Sequence, residues 1–298
     1  MEKIVYFGNF NFDQWLLNGN QHLGQNIVEE LEYLVSYCEP GCILYSLKDY
    51  SPEFKEKFLS ITGSAFQTTN KKKEAIAWFG DTQNIMKAKV LNSKVTAYNI
   101  SKKLGIELNK SQIIEQQTLM QCLEDGEFLI KPEFGFSGKG IRKVNKDIKL
   151  DSSLKYILEP KLTRVRDFSI WIKPLSKEYI YKVYENIVDK KFHYSGTVFK
   201  TSKINIDEKL ILKIVEEYKL LGAESDFVID CFIYHENGEE RIRYLSEVNY
   251  RKTLGMVFHW MNDQLFEGRM EKVLLGPSDK GSGLLVSPKN NKLKITFV

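Results

Sequence analysis

A chain of 298 residues, 43% hydrophobic and 28% charged, has material for a sizeable core and the length of two or three packed units. It has no apolar run long enough to span a bilayer. The stretch before Ile4-Val5-Tyr6-Phe7 is too short for a signal peptide, so a cytoplasmic protein with no membrane partner is expected. The net charge of +4 is slight. The short basic runs Lys71–Lys73, Arg164-Val165-Arg166 and Arg241-Ile242-Arg243 come without an RRM, KH or helix-turn-helix signature. That argues against nucleic acid as the partner and leaves room for anionic small molecules. The four cysteines, Cys38, Cys42, Cys122 and Cys231, lack C-x-x-C spacing and a histidine pair at zinc-finger distance, so free thiols are expected.

In chain order, Lys3–Gly8 reads as a first strand, and residues 23–37, with apolar side chains at 27, 28, 31, 34 and 35, as a helix. A second strand over 42–47 and a helix opened by Pro52 follow, so strand and helix alternate. That pattern predicts an α/β layer over residues 1–92. Asn92 or Ser93 caps a helix that ends at Gly105. Strands over 127–132, 156–160 and 167–173 come next, and residues 207–222 carry Leu210, Ile214, Val215 and Tyr218 on one helical face. Residues 262–298 read as a helix and a terminal strand pair around Gly281-Ser282-Gly283, without evident chemistry.

The chemistry concentrates in two places. Lys131 ends an apolar strand and leads into Gly135-Phe136-Ser137-Gly138-Lys139-Gly140, where glycines let backbone N–H groups approach an anion. This loop is neither a Walker A motif nor a dinucleotide fingerprint, and alone it is no more than a flexible hairpin. The second place is Val228–Arg251, two strands closed by a turn at Asn237-Gly238. Glu247, Asn249 and Arg251 alternate onto one face. An even loop puts Asp230 on that face too, and a turn centred on Gly238-Glu239 would set Asp230 directly opposite Glu247. Two carboxylates and an amide oxygen then converge beside an arginine, hard ligands that suit a Mg²⁺ also holding nucleotide phosphates.

This order of residues resembles the ATP-grasp superfamily over residues 93 to about 257. The matching segments are Phe128–Gly140, Leu158–Leu162, Arg166–Ile170, Ile229-Asp230 and Ser246–Arg251, with Asn92-Ser93-Lys94 at the start. The resemblance implies an α/β (α+β) ATP-grasp fold with a pre-ATP-grasp α/β domain (1–92), an ATP-grasp domain (93–298) and a mobile central lid subdomain at about 110–160. It implies ATP and Mg²⁺ as cofactors. Lys94 and Lys131 would contact nucleotide phosphates, with Ser137, Gly138 and Lys139 in the covering loop. Glu159 would meet the adenine amino group, the Pro160 carbonyl and Leu162 amide would complete base recognition, and Asp167 would accept from the ribose hydroxyls. Asp230, Glu247 and Asn249 would hold the metal, Arg251 would stabilise the transferring phosphoryl group, and Gly255 would allow close approach at the reacting carbonyl. Two departures stand out. Proline replaces the common lysine after Glu159, keeping the carbonyl but losing the N–H, and the segment before Asp167 is one residue longer than in close relatives.

The activity so implied is a carboxylate–amine ligase that forms an acyl phosphate and ADP and then joins the acyl group to an amine, acting on small-molecule carboxylate and amine substrates. A homodimer would be compatible with it. A kinase acting on a small acceptor and a non-catalytic nucleotide-binding module are the competing readings. Residues 173–203 are the expected source of substrate specificity. There His193 reads either as a general base or as a structural histidine. Arg164, Arg166 and Arg243 are candidates for a bidentate grip on a substrate carboxylate. Gly255 also reads as a helix-start residue.

Overall fold

The computed structural model describes the chain except residues 1–2, 20–23, 72–74, 115–126, 136–137, 139, 146–147, 153, 176–177, 191–192, 201–202 and 278–282. Ser137, Lys139, Cys122, Gly281 and most of the Lys71–Lys73 run therefore lie outside the described residues. The chain forms two compact units. Unit 1 comprises Met1–Asn84, Tyr194–Ser202 and Arg251–Val298, and unit 2 comprises Ile85–His193 and Lys203–Tyr250.

Unit 1 opens with the expected alternation: β1 (Val5–Phe7), α1 (Phe12–Asn18), α2 (Gln25–Leu31), α3 (Leu34–Cys38), β2 (Ile43–Tyr45), α4 (Pro52–Thr62), β3 (Thr68–Thr69) and β4 (Ile76–Ala77). The strands make one parallel sheet in the order β3-β2-β1-β4. α4 starts at Pro52 as expected and runs to Thr62. Ser51 accepts from the Phe54 N–H at 3.3 Å, Pro52 takes the first turn, and Gly63 at φ 68° ends the helix. The single helix expected over 23–37 is instead two. Val35 N bonds to Glu32 O and Ser36 N to Tyr33 O, and these i→i−3 bonds tighten the backbone into a 3₁₀-type turn. The tightening buries Tyr33, Leu34, Val35 and Tyr37 together. Tyr37 lies 4.8 Å from Phe58, which lies 5.1 Å from Phe66, in an aromatic core.

Glu32 sits at this break, 4% exposed, where it accepts hydrogen bonds from Ser46 and from Tyr50 at 3.0 Å. Burial raises its carboxyl above the ordinary 4.5, against the hydrogen bonds from Ser46 and Tyr50 and the charge of Lys48, while Glu29 adds to the rise. The folded chain therefore holds this proton more tightly than the unfolded one. Stability from this group is full in acid and falls as pH climbs from the ordinary carboxylate range through the raised value. Glu32→Gln keeps an acceptor and removes the buried charge. It should melt higher than wild type at pH 8, with the difference closing toward pH 4 in thermal melts. Parallel pH profiles for the two proteins would refute the assignment.

Unit 2 begins with α5 (Ile85–Asn92) and α6 (Lys94–Lys103). Ser93 caps α6, accepting from Val95 N at 3.1 Å and Thr96 N at 3.2 Å, and Gly105 at φ 68° closes it. A small antiparallel sheet follows, ordered β5-β8-β6-β7, from β5 (Gln112–Ile114), β6 (Phe128–Pro132), β7 (Arg142–Lys143) and β8 (Tyr156–Pro160). β9 (Thr163–Pro174) and β10 (Tyr179–Val188) form the next hairpin, and β11 (Tyr194–Val198) belongs to unit 1. α7 (Glu208–Leu220) is capped by Asp207 and buries Ile211, Ile214, Val215 and Tyr218, so Leu210 is half-buried while Ile211 takes the inner position. β12 (Phe227–Glu236) and β13 (Glu239–Asn249) complete the strand order β13-β12-β9-β10 within this unit. Phe168, Ile170, Ile172, Phe227, Ile229 and Leu245 pack beneath it against α7 and α6.

The chain then returns to unit 1. α8 (Leu254–Leu265) starts at Thr253, which accepts from Met256 N at 3.3 Å. β14 (Lys272–Gly276), β15 (Leu284–Leu285) and β16 (Lys294–Phe297) follow, with β14 pairing both β11 and β16. The helix expected within 262–298 is corrected: among the described residues helix ends at Leu265. The Thr253 cap starts it early, on the apolar run that the sequence left unassigned. Among the described residues no helix is long and apolar enough to cross a membrane. The thiols of Cys38, Cys42 and Cys231 are free, and burial pushes each up, Cys42 to about 11.

Candidate active site

The β12–β13 hairpin turns at Asn237-Gly238, with φ of 53° and 83° and Glu236 paired to Glu239. That is the two-residue turn with both central residues left-handed, not one centred on Gly238-Glu239. Its register continued without interruption would set Asp230 against Leu245. A bulge intervenes: Tyr244, Leu245 and Ser246 oppose the single residue Cys231, and Asp230 faces Glu247 after all. The expected pairing holds, and its cause is the bulge.

Across β12 from Glu247, Asp230 faces Ser169 of β9. Ser169 Oγ donates to Asp230 Oδ1 at 2.6 Å, Asn249 Nδ2 donates to Asp230 Oδ2 at 2.7 Å, and Asn186 Nδ2 of β10 donates to Ser169 Oγ at 2.7 Å. Four strands thus fix one half-buried carboxylate. Glu247 is held by Lys94, whose Nζ lies 2.6 Å from Oε2 and also donates to the Gly135 carbonyl at 3.3 Å. Lys94 is the first residue of α6 and 7% exposed, so the capped helix start aims a cation from under the sheet into the acidic face. Among the described residues no three His, Cys, Asp or Glu side chains group as a metal centre. The candidate set is two carboxylates and the Asn249 amide, oxygen donors that suit a hard cation.

The small sheet supplies a second cluster. Lys131 on β6 and Glu159 on β8 pair through Nζ and Oε2, 3% and 4% exposed. Lys131 Nζ also reaches Ser246 Oγ in the bulge at 3.4 Å, and Arg243 Nη2 lies 3.6 Å from Glu159 Oε1. Burial pulls the Lys131 ammonium down, opposed by Glu159. Burial pushes the Glu159 carboxyl up, but Lys131, Arg243 and Arg164 together hold it below the ordinary range. Glu159 is therefore a buried, ionised counter-ion to two cations.

The glycine loop is built for its turn. Gly138 and Gly140 have φ of 73° and 86°, and a Cβ on Gly140 would meet Pro132 Cγ at 2.9 Å. Pro160 ends β8, and Leu162 packs half-buried against Leu108, Phe232 and Tyr234. Asp167 is paired with Arg164 at 2.7 Å, and the Arg164 guanidinium sits 4.0 Å over the Phe232 ring. Arg166 is held by Glu185 at 2.5 Å. His193 is bound to Asp189 through both its N–H at 2.9 Å and its Nδ1 at 3.1 Å, as in a structural turn. In unit 1, Arg251 makes a two-pronged pair with Asp13 at 2.7 and 2.6 Å and donates to the Lys252 carbonyl at 3.0 Å. Gly255 is buried in the first turn of α8.

No protein-family model and no curated protein sequence matches this chain. Solved structures do. N5-carboxyaminoimidazole synthetase from Staphylococcus aureus complexed with ADP is 13% identical over 85% of this chain and 71% of that one, with a TM-score of 0.50. A second structure of that synthetase is 12% identical over 99% and 92%, with a TM-score of 0.51. Biotin carboxylase from Campylobacter jejuni, in a complex named for β-γ-ATP, is 10% identical over 100% and 82%, also at 0.51. The chain has the ATP-grasp fold.

Within the ATP-grasp fold of this chain, Asp230, Glu247 and Asn249 come together as the sequence anticipated. Lys94 pairs with Glu247, which it did not anticipate, and Lys131 joins Glu159, while Arg251, expected beside the oxygen set, pairs with Asp13. Three side chains were missed in these roles. Ser169 was legible in principle, two residues from Asp167 and so on the same strand face. Asn186 and Ser246 were not, because a β9–β10 register and a bulge bring them in.

Proposed function

We propose that this chain is an ATP- and magnesium-dependent ligase that activates a small carboxylic acid as its acyl phosphate and joins it to an amine. The observation that carries the reading is the Asp230–Glu247–Asn249 oxygen set facing Lys94 on one sheet surface. The fold it shares with a synthetase and a carboxylase crystallised with nucleotides supports it. Asp230, Glu247 and Asn249 would hold magnesium, which when bound neutralises phosphate charge. Ser169 and Asn186 keep Asp230 oriented. Lys94 and Lys131 would meet phosphate oxygens, Pro160 and Leu162 would frame the base, and Gly138 with its neighbours Ser137 and Lys139 would cover the phosphates in a lid at about 110–160. Asp167 would serve the ribose, with Arg164 fixing its carboxylate.

The substrate carboxylate attacks the terminal phosphorus in line and ADP leaves. The amine then displaces phosphate from the acyl carbon. Positioning and charge neutralisation carry the first step, and excluding water protects the acyl phosphate. Arg251, oriented by Asp13, would stabilise the transferring phosphoryl group, and Gly255 would give the acyl carbonyl close approach. Arg251→Ala should lower turnover by roughly a hundredfold or more with little change in nucleotide affinity. An unchanged rate removes it from the reaction. The reading is tested by screening amino acids and small acids with ATP and magnesium. Free phosphate should appear only when both an acid and an amine are present. Phosphate transferred to a stable acceptor would make the chain a kinase, and no nucleotide uptake at all would overturn the reading.

A further inference from the structure

Arg243 is 2% exposed on β13, and the reading above gives it no task. A guanidinium this deep ordinarily spends its N–H donors on acceptors. Here Nη1 donates to the Ile106 carbonyl at 2.6 Å, and the approach of Nη2 to Glu159 Oε1, at 3.6 Å, is too long for a hydrogen bond. Nε has no partner. The charges around it do not balance either. Among the described residues Lys131 and Arg243 share the Glu159 carboxylate, while the neighbouring Arg164 is already matched by Asp167 at 2.7 Å. A buried excess of positive charge with an unserved donor is costly unless an anion completes it.

Position says which anion. On β13, Arg243 precedes Glu247 by one bulge, and across β12 it faces Phe232, which in turn faces Asp167. It touches Glu159, the residue before Pro160. It therefore lies between the strand end assigned to the base and the carboxylates assigned to the metal. We infer that Arg243 is an anion-binding residue of the nucleotide site, whose Nε and Nη2 take a phosphate oxygen of the nucleotide on its ribose side. This rests on the ATP-dependent reading above. It also reassigns Arg243 away from the substrate-carboxylate role that its charge suggested.

Calorimetry with magnesium, comparing ADP with adenosine on the full chain, tests it. Arg243→Met should weaken ADP roughly tenfold or more and leave adenosine unchanged, with Arg243→Lys intermediate. In wild type, the Arg243 Nε–H resonance, assigned by its absence from Arg243→Lys, should shift on adding ADP and stay in place with adenosine. This readout decides the matter even if Arg243→Met fails to fold. Equal losses for ADP and adenosine, no loss for either, or a resonance that moves only with an acid substrate would overturn the inference. Wild type that takes up ADP while the resonance stays fixed sinks the Arg243 assignment alone. Wild type that binds no ADP sinks the ATP-dependent reading as well.

Discussion

On the proposed ligase reading, Glu247→Gln should abolish ATP- and magnesium-dependent turnover. The substitution keeps the size and one oxygen of the side chain but removes its charge. It therefore separates metal holding from packing. Changing a residue that merely supports a metal ligand costs ~10–100-fold, so a direct ligand should cost more, at least about a thousandfold. The structure adds a consequence that the sequence does not carry. Lys94, 7% exposed, has its ion pair with Glu247 at 2.6 Å, and the variant leaves that buried ammonium a neutral amide oxygen and the Gly135 carbonyl at 3.3 Å in place of the carboxylate charge. Some loss of stability should accompany the loss of turnover, and Lys94→Met should relieve it in the double variant without restoring activity. A magnesium titration of phosphate release checks the first point and denaturant melts the second. Near wild-type turnover in Glu247→Gln would remove this residue from the site.

Lys131→Met should cost both activity and fold. Breaking a buried ion pair by removing one partner typically costs ~3–5 kcal/mol. Arg243, 3.6 Å from the same carboxylate, softens this toward the lower end. Lys131→Met with Glu159→Gln also takes from Arg243 the carboxylate that balances it, so the double variant should be less stable than Lys131→Met alone. Turnover should stay lost in both. A double variant as stable as the single would show that Glu159 does not balance Arg243.

Other parts of the molecule show where sequence reasoning stops. The helix start at Pro52, the cap at Ser93 and the stop at Gly105 were readable because each acts within a turn of its own residue. The 3₁₀ tightening at Glu32 was not, since its partners Ser46 and Tyr50 lie in the loop between β2 and α4. Glu159 read as a base-recognising carboxylate. The structure surrounds it with Lys131 and Arg243, one partner from β6 and the other from β13. Arg164 and Arg166 looked free to grip a substrate, and cross-strand and i,i+3 neighbours claim both.

By itself the sequence determined the alternation of elements, the ends of the helix from Ser93 to Gly105, the Asn237-Gly238 turn and the presence of Glu247 and Asn249 on one strand face, because these follow from local conformational preference and a two-residue side-chain period. Only the tertiary structure decided that a bulge sets Asp230 opposite Glu247, that the chain's last segment rejoins unit 1, and that two buried cations share Glu159. Those outcomes are settled by register and by burial between segments far apart in sequence, and both act only once the sheets have formed.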